Sequence, residues 1–163
     1  MKKLILIRHA HTENSSDTGK DIDRKLTSEG MKNASLLGKY IKEEEISIHA
    51  MVTSNAARAQ LTAELIAGPI GYDLNEIIVE DDLYEISVRG LFDYICRLKS
   101  DWSTVVIVGH NPTLSYMADY LSDQVVHGMS PASLVQINFE VDSWTALTKG
   151  QGAFIGYYDL PTY

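Results

Sequence analysis

Arg8-His9, Arg58 and Gly109-His110 are the residues of this chain whose types and spacing could do chemistry together. Two arginines and two histidines in one pocket would suit a phosphoryl group. The guanidinium is a rigid planar fork that pairs bidentately with phosphate oxygens. A neutral imidazole is a nucleophile, and its attack on phosphorus gives a phosphohistidine intermediate. Neighbouring guanidinium charges disfavour a charged imidazole, so they are expected to keep His9 neutral near pH 7. The arginines and His110 would then stabilise charge on the equatorial oxygens in the transition state. Each residue alone also has an ordinary reading. An arginine at a strand end is usually a surface residue, and a histidine there is more often structural than catalytic. Type and spacing leave both readings standing.

Convergence of these residues needs three strand ends on one edge of a sheet. Residues 4–7 are a continuous apolar run ended by Arg8, the pattern of a strand buried on both faces. Residues 104–108 form a second such run, ended by Gly109-His110-Asn111-Pro112. Residues 48–53 also read as a strand. Arg58 falls in the first turn of a helix expected over 56–67, which Gly68-Pro69 should stop. A further helix is expected over 28–45, capped by Thr27 or Ser28. Others carry Leu91, Ile95 and Leu98, and Leu114, Met117, Ala118 and Leu121. Strands are expected at 77–79, 134–139 and 153–158, and residues 11–25 form a polar loop long enough to suspect function. Alternating strands and helices imply an α/β fold, a mainly parallel sheet with helices on both faces. Open sheets of this kind build their sites at strand ends. The helix starts near Arg58 and Pro112 could add backbone N–H donors there.

The chain's 163 residues predict a single domain over 1–163. A fold of that size buries about 70% of the surface its unfolded chain exposes, so a core can form without metals or disulfides. Fourteen Lys and Arg against 22 Asp and Glu leave a net charge of −8, which argues against a nucleic-acid or anionic-membrane partner. It leaves room for a small positive pocket. The lone cysteine, Cys96, excludes an intramolecular disulfide and a cysteine metal cluster. No run approaches the ~18 apolar residues of a membrane span. The apolar run after Lys2-Lys3 is too short for a secretory signal. A cytoplasmic chain is therefore expected.

Several chemistries can be set aside. There is no G-x-x-x-x-G-K-[ST] loop and no G-x-S-x-G elbow. Gly150, Gly152 and Gly156 miss the dinucleotide spacing. Trp102 stands where a cysteine phosphatase would need an arginine after Cys96. Asp21-Ile22-Asp23 resembles the paired aspartates of haloacid-dehalogenase-type phosphatases, but those follow a buried strand directly and this pair lies in a polar loop. His9 and His11, two apart, face one side of an extended chain and could ligate a metal, but no second ligand cluster accompanies them. His49 and His127 are expected to be structural. Trp102 and Trp144 are expected to anchor packing.

Leu6-Ile7-Arg8-His9-Ala10 resembles the R-H-G/A signature of the histidine phosphatase superfamily, which has the phosphoglycerate mutase-like fold. The run Ser54-Asn55-Ala56-Ala57-Arg58-Ala59-Gln60-Leu61-Thr62-Ala63 is similar to that family's S-x-x-x-R-A-x-x-T-A motif, and Val108-Gly109-His110-Asn111-Pro112 to its late G-H-N/E motif. The resemblance is closest to the small SixA-like phosphohistidine phosphatases. Asp23-Arg24-Lys25-Leu26-Thr27 with Gly30 resembles that branch's D-R-P-L-T-x-x-G, and Leu83-Tyr84-Glu85 its L-Y-E. The motifs run in order along almost the whole chain.

The resemblance implies a three-layer α/β/α sandwich and a metal-independent phosphatase without a cofactor. His9 would accept the phosphoryl group, and Arg8, Arg58 and His110 would grip it. Arg24 would either reach the pocket edge or be an exposed loop arginine. Glu85 falls where larger relatives keep their general acid; a carboxylate favoured by the following helix dipole is the other reading. Lys25 replaces the expected proline, and His11 stands where lysine or an acidic residue is common, a rim position. The larger relatives' covering insertions have no room in this chain. An open site follows, which fits a phosphohistidine side chain on a protein better than a small sugar phosphate. The alternatives are a broad phosphomonoesterase acting on small molecules and a phosphoprotein-binding module without turnover. The oligomeric state is left open.

Overall fold

The computed structural model describes residues 1–160. Its centre is a six-stranded sheet in the order β3-β2-β4-β1-β5-β6. Here β1 is Lys2–Arg8, β2 Ala50–Ser54, β3 Ile78–Glu80, β4 Thr104–Gly109, β5 Leu134–Phe139 and β6 Ala153–Tyr158. The first four are mutually parallel, and β5 and β6 run antiparallel to their neighbours. The helices are α1 (Ser28–Glu43), α2 (Ala57–Ile70), α3 (Val88–Cys96) and α4 (Thr113–Leu121).

The continuous apolar runs are explained by helices on both faces. Successive strand residues point to opposite sides. Leu4, Leu6, Val105 and Ile107 pack with Leu91 and Ile95 of α3 and with Leu114 and Met117 of α4. Ile5, Ile7, Val106 and Val108 pack with Leu37 and Ile41 of α1 and with Ala63 and Ile66 of α2. The result is the expected three-layer sandwich. Leu4 to Ile7 are fully buried, and each such side chain contributes about 2 kcal/mol by leaving water. Trp144 is fully buried too, and its Nε1 donates to the Trp102 carbonyl at 2.8 Å.

Three helix ends differ from the sequence reading. Helix α3 stops at Cys96, so Leu98, expected on it, lies just beyond its end and still packs in the core. The helix expected to stop at Gly68-Pro69 continues through Pro69 to Ile70. Pro69 has no N–H and forgoes one helical hydrogen bond, yet its ring lies against Gly38 of α1, where a Cβ would also meet the Ile66 carbonyl. The helix ends at Gly71, whose φ of 71° is left-handed and suits glycine. Tyr72 N–H then donates to the Ala67 carbonyl at 3.1 Å. Helix α1 ends at Glu43, not Glu45. Its start is the expected one: Thr27 Oγ1 accepts from Gly30 N–H at 3.0 Å. The polar loop before it is closed by a bridge between Thr12 and Leu26 and holds a 3₁₀ turn at Asp21–Asp23. No helix among the described residues is long and apolar enough to cross a membrane.

Candidate active site

Strand register brings the site together. Arg8 of β1 pairs with Gly109 of β4, so His9 and His110 leave adjacent strand ends side by side. Their ring centroids lie 5.2 Å apart. On the other flank of β4, Thr53 pairs with Val108, which brings Ser54 beside the same edge. Ser54 Oγ lies 2.7 Å from His110 Nε2. The short turn after Ser54 opens α2 and delivers Arg58, whose Nε donates to His9 Nε2 at 3.3 Å. Thr62, one turn on, ties this helix to the strand end. Its hydroxyl accepts from Ala10 N–H at 3.1 Å and donates to the Arg58 carbonyl at 2.7 Å.

The protonation of His9 follows from its partners. Nδ1 lies 2.8 Å from the Ala10 carbonyl, which can only accept, so Nδ1 carries the proton. Arg58 can only donate, so Nε2 carries the lone pair. Burial pushes the imidazole down to about 3; the Ala10 carbonyl opposes this, and His110, Arg58 and Arg8 add smaller downward pushes. The sequence reading assigned His9's neutrality to the arginines, whereas loss of solvent is the larger cause. His110 is held at about 4, again by burial first and Arg58 second.

Arg8 Nη1 and Asn111 Nδ2 both donate to the Met129 carbonyl, at 2.8 and 3.0 Å. Ser115 Oγ donates to Asn111 Oδ1 at 3.0 Å. Among the described residues, Arg8 Nε and His110 Nδ1 are buried nitrogens without a hydrogen-bond partner. Such orphans are uncommon and costly in native folds, and here two belong to one cluster.

Sequence reasoning set Asp21 aside as half of an aspartate pair in a polar loop. Its carboxylate pairs with Arg58 Nη2 at 3.0 Å and Arg24 Nη1 at 2.9 Å, and the Tyr84 hydroxyl donates to it. Its backbone carbonyl accepts from Arg58 Nη1 at 2.8 Å. Tyr84 foremost, with Arg24 and Arg58, holds the Asp21 carboxyl well below the usual carboxylate range. The Asp-x-x-Arg spacing of Asp21 and Arg24 was the available signal. Arg24 meets neither histidine; it is half-buried and bonded to Thr12 Oγ1 at 2.6 Å and the Glu13 carbonyl at 2.8 Å. His11 is exposed, with Nδ1 at 3.0 Å from Thr27 Oγ1. His49 Nδ1 accepts from Thr104 N–H at 3.1 Å, far from the cluster as expected.

Two recesses flank the histidines. One, of about 280 Å³, is lined by Tyr84, Glu85, Leu91, His110, Asn111 and Leu114. Glu85 is exposed on its rim. The other, of about 570 Å³, includes Arg8, Asn111, Met129 and Tyr157, and also His127, which the sequence had assigned no place near the chemistry. A larger hollow of about 650 Å³ lies at the opposite edge, by Lys3, His49 and Thr104. Among the described residues no group of three or more His, Cys, Asp or Glu side chains forms a candidate metal site.

The sequence profile of the histidine phosphatase superfamily (branch 1) matches residues 4–93, more than half of the chain. The chain belongs to the histidine phosphatase superfamily. An uncharacterized protein of Mycobacterium tuberculosis is 24% identical over 149 residues, with 85% of this chain and 90% of that protein covered. A proposed phosphohistidine phosphatase SixA from Nakamurella multipartitia superposes with a TM-score of 0.81 at 22% identity, over 97% of this chain and 95% of that one. A protein histidine phosphatase SixA complexed with tungstate gives 0.81 at 18% identity, over 95% of each chain. These likenesses show that this histidine phosphatase superfamily member shares their phosphoglycerate mutase-like fold.

Proposed function

We propose that this chain is a phosphatase that removes phosphoryl groups from phosphohistidine on a protein, through a phosphohistidine formed on its own His9. The observation that carries the reading is the His9 tautomer. Its Nε2 lone pair is buried, neutral and flanked by Arg58 Nε. In the first step Nε2 forms a bond to phosphorus as the bond from phosphorus to the leaving nitrogen breaks. A phosphohistidine ring that already carries a proton on its other nitrogen departs as neutral imidazole, so little help from an enzyme acid is needed. Water then attacks phosphorus on His9, the Nε2–phosphorus bond breaks, and phosphate leaves with His9 neutral again. Arg8, Arg58 and His110 hold the phosphoryl oxygens, and the orphaned nitrogens of Arg8 and His110 are donors suited to that task. Glu85 lines the recess beside His110, and in this reading it exchanges protons with the leaving group and the water. Arg24 acts at the edge, through Asp21.

The protein substrate is supported by the short chain segments around the strand ends, Ser54 to Ala57 and Gly109 to Thr113, which carry no covering insertion. The fold likeness to SixA proteins, one of them holding tungstate, points the same way. The recess of about 280 Å³ beside His110 favours a second reading, a phosphomonoesterase with a small leaving group.

The test is phosphate release, in EDTA, from a histidine-phosphorylated protein and from p-nitrophenyl phosphate, with His9→Ala as the blank. Release from the phosphoprotein well above the ester, lost in His9→Ala, is expected. Faster turnover of the ester would favour the second reading. No release from either would leave a phosphoprotein-binding module as the account.

A further inference from the structure

We propose that Asp21 is the positioning residue that aims Arg58 at the reacting phosphorus. The inference rests on the phosphatase reading of this pocket. Arginine is long and flexible, and its fork grips an anion well only when its plane is set beforehand. In this chain both terminal nitrogens of Arg58 are held by one residue. Nη1 donates to the Asp21 carbonyl at 2.8 Å and Nη2 to its carboxylate at 3.0 Å. The guanidinium orientation is thereby set, and Nε is left directed at His9 Nε2.

Asp21 is itself braced from two directions. Arg24 binds its second carboxylate oxygen and reaches back to Thr12 and Glu13, a few residues beyond His9. The Tyr84 hydroxyl donates to the oxygen that meets Arg58. The Tyr84 ring stands edge-on to His110 at 5.7 Å and lies 5.8 Å from the Arg58 guanidinium carbon. The circuit therefore runs from His9 along the loop to Arg24, Asp21 and Arg58, and returns to His9. Arg58 is buried, whereas the Asp21 side chain keeps 49% of its surface exposed. This places Asp21 at the rim, behind the arginine.

Two roles for Asp21 predict opposite signs. A carboxylate that only neutralises Arg58 competes with the substrate anion, and its removal tightens binding and raises kcat/KM. A carboxylate that orients Arg58 contributes to the transition state, and its removal lowers kcat with little change in KM. We expect Asp21→Ala to lower kcat about 10- to 100-fold, the scale of a misplaced catalytic group, with KM changed less than about threefold. Tyr84→Phe should move kcat the same way by less. In an Arg58→Ala background, Asp21→Ala should add nothing, because the pair acts as one unit.

The second readout needs no turnover. In the ligand-free protein, the ¹⁵N resonance of His9 Nε2 should shift in Asp21→Ala toward its Arg58→Ala position, as the Nε donor is lost. Thermal melts of each variant confirm a folded chain; Tyr84→Phe serves where Asp21→Ala does not fold. A raised kcat/KM, or an unmoved His9 resonance in the folded variant, overturns the inference. Wild-type protein that releases no more phosphate than His9→Ala sinks the phosphatase reading instead, and the resonance still decides the placement of Arg58.

Discussion

Ser54 Oγ lies 2.7 Å from His110 Nε2 while Ala56 N–H donates to the same hydroxyl at 3.2 Å. With one oxygen lone pair taken by the amide, the hydroxyl proton is available to His110 Nε2. In the proposed reaction the ring proton then sits on Nδ1, the buried nitrogen without a partner, which donates to a phosphoryl oxygen. Ser54→Ala would release that tautomer. A fall of about tenfold in kcat/KM is expected, corresponding to about 1.4 kcal/mol. Steady-state kinetics on p-nitrophenyl phosphate check this, and an unchanged kcat/KM would rule the assignment out.

Acid should weaken both activity and fold. His9 at about 3 and His110 at about 4 stay neutral across pH 5–8, so their ionisation is expected to leave kcat/KM unchanged there and to lower it as the pH drops through 4. The stability argument has the same sign. Between about 6.5 and 3 the unfolded chain binds protons at these imidazoles that the folded chain does not, so stability is lost as pH falls through that window. Asp21, depressed in the fold, adds a loss in the same direction below about pH 4. Thermal melts from pH 7 to 4 should show a falling Tm, and a shallower fall in His9→Asn. Parallel curves for the two proteins would contradict this account of His9.

Glu85 carries a prediction that depends on the leaving group. A general acid matters most when the departing atom is a poor leaving group. Glu85→Gln should therefore slow an alkyl phosphate about tenfold or more and leave p-nitrophenyl phosphate within about threefold. Equal losses on both substrates would assign Glu85 to the helix start alone.

Gly30 tests the link between α1 and the site strand. A Cβ at this position would fall on the His11 carbonyl oxygen, and backbone cannot yield as a side-chain tip does. Gly30→Ala is expected to cost about 1–3 kcal/mol, read as a lower midpoint in denaturant. A midpoint at or above the parent's would show that α1 can shift without disturbing the strand end.

Much of the frame was legible along the chain. The apolar runs at β1 and β4, the Thr27 cap and the α4 stripe are local patterns whose period names the element. The exceptions are local rules overridden by packing. Pro69 stays helical because its ring lies against α1, and Glu45 leaves the helix at a φ of 54°. At the site, Arg8, His9, Arg58 and His110 were readable from type and motif. The spacing of Asp21 and Arg24 was readable too, but the contact of Asp21 with Arg58 was not, because it spans 37 residues through a loop with no apolar period to reveal its path.

The amino-acid sequence by itself determined which groups carry charge and lone pairs, which runs are strands and helices, and which strand ends hold them. Only the tertiary structure decided that β4 lies between β1 and β2, with Arg8 opposite Gly109, so that both histidines and Ser54 meet on one edge. It also decided that solvent exclusion, more than the arginines, sets the basicity of His9. The physical reason is range. Periodicity and capping act over a few residues, whereas register, burial and the return of a polar loop depend on the packing of the whole chain.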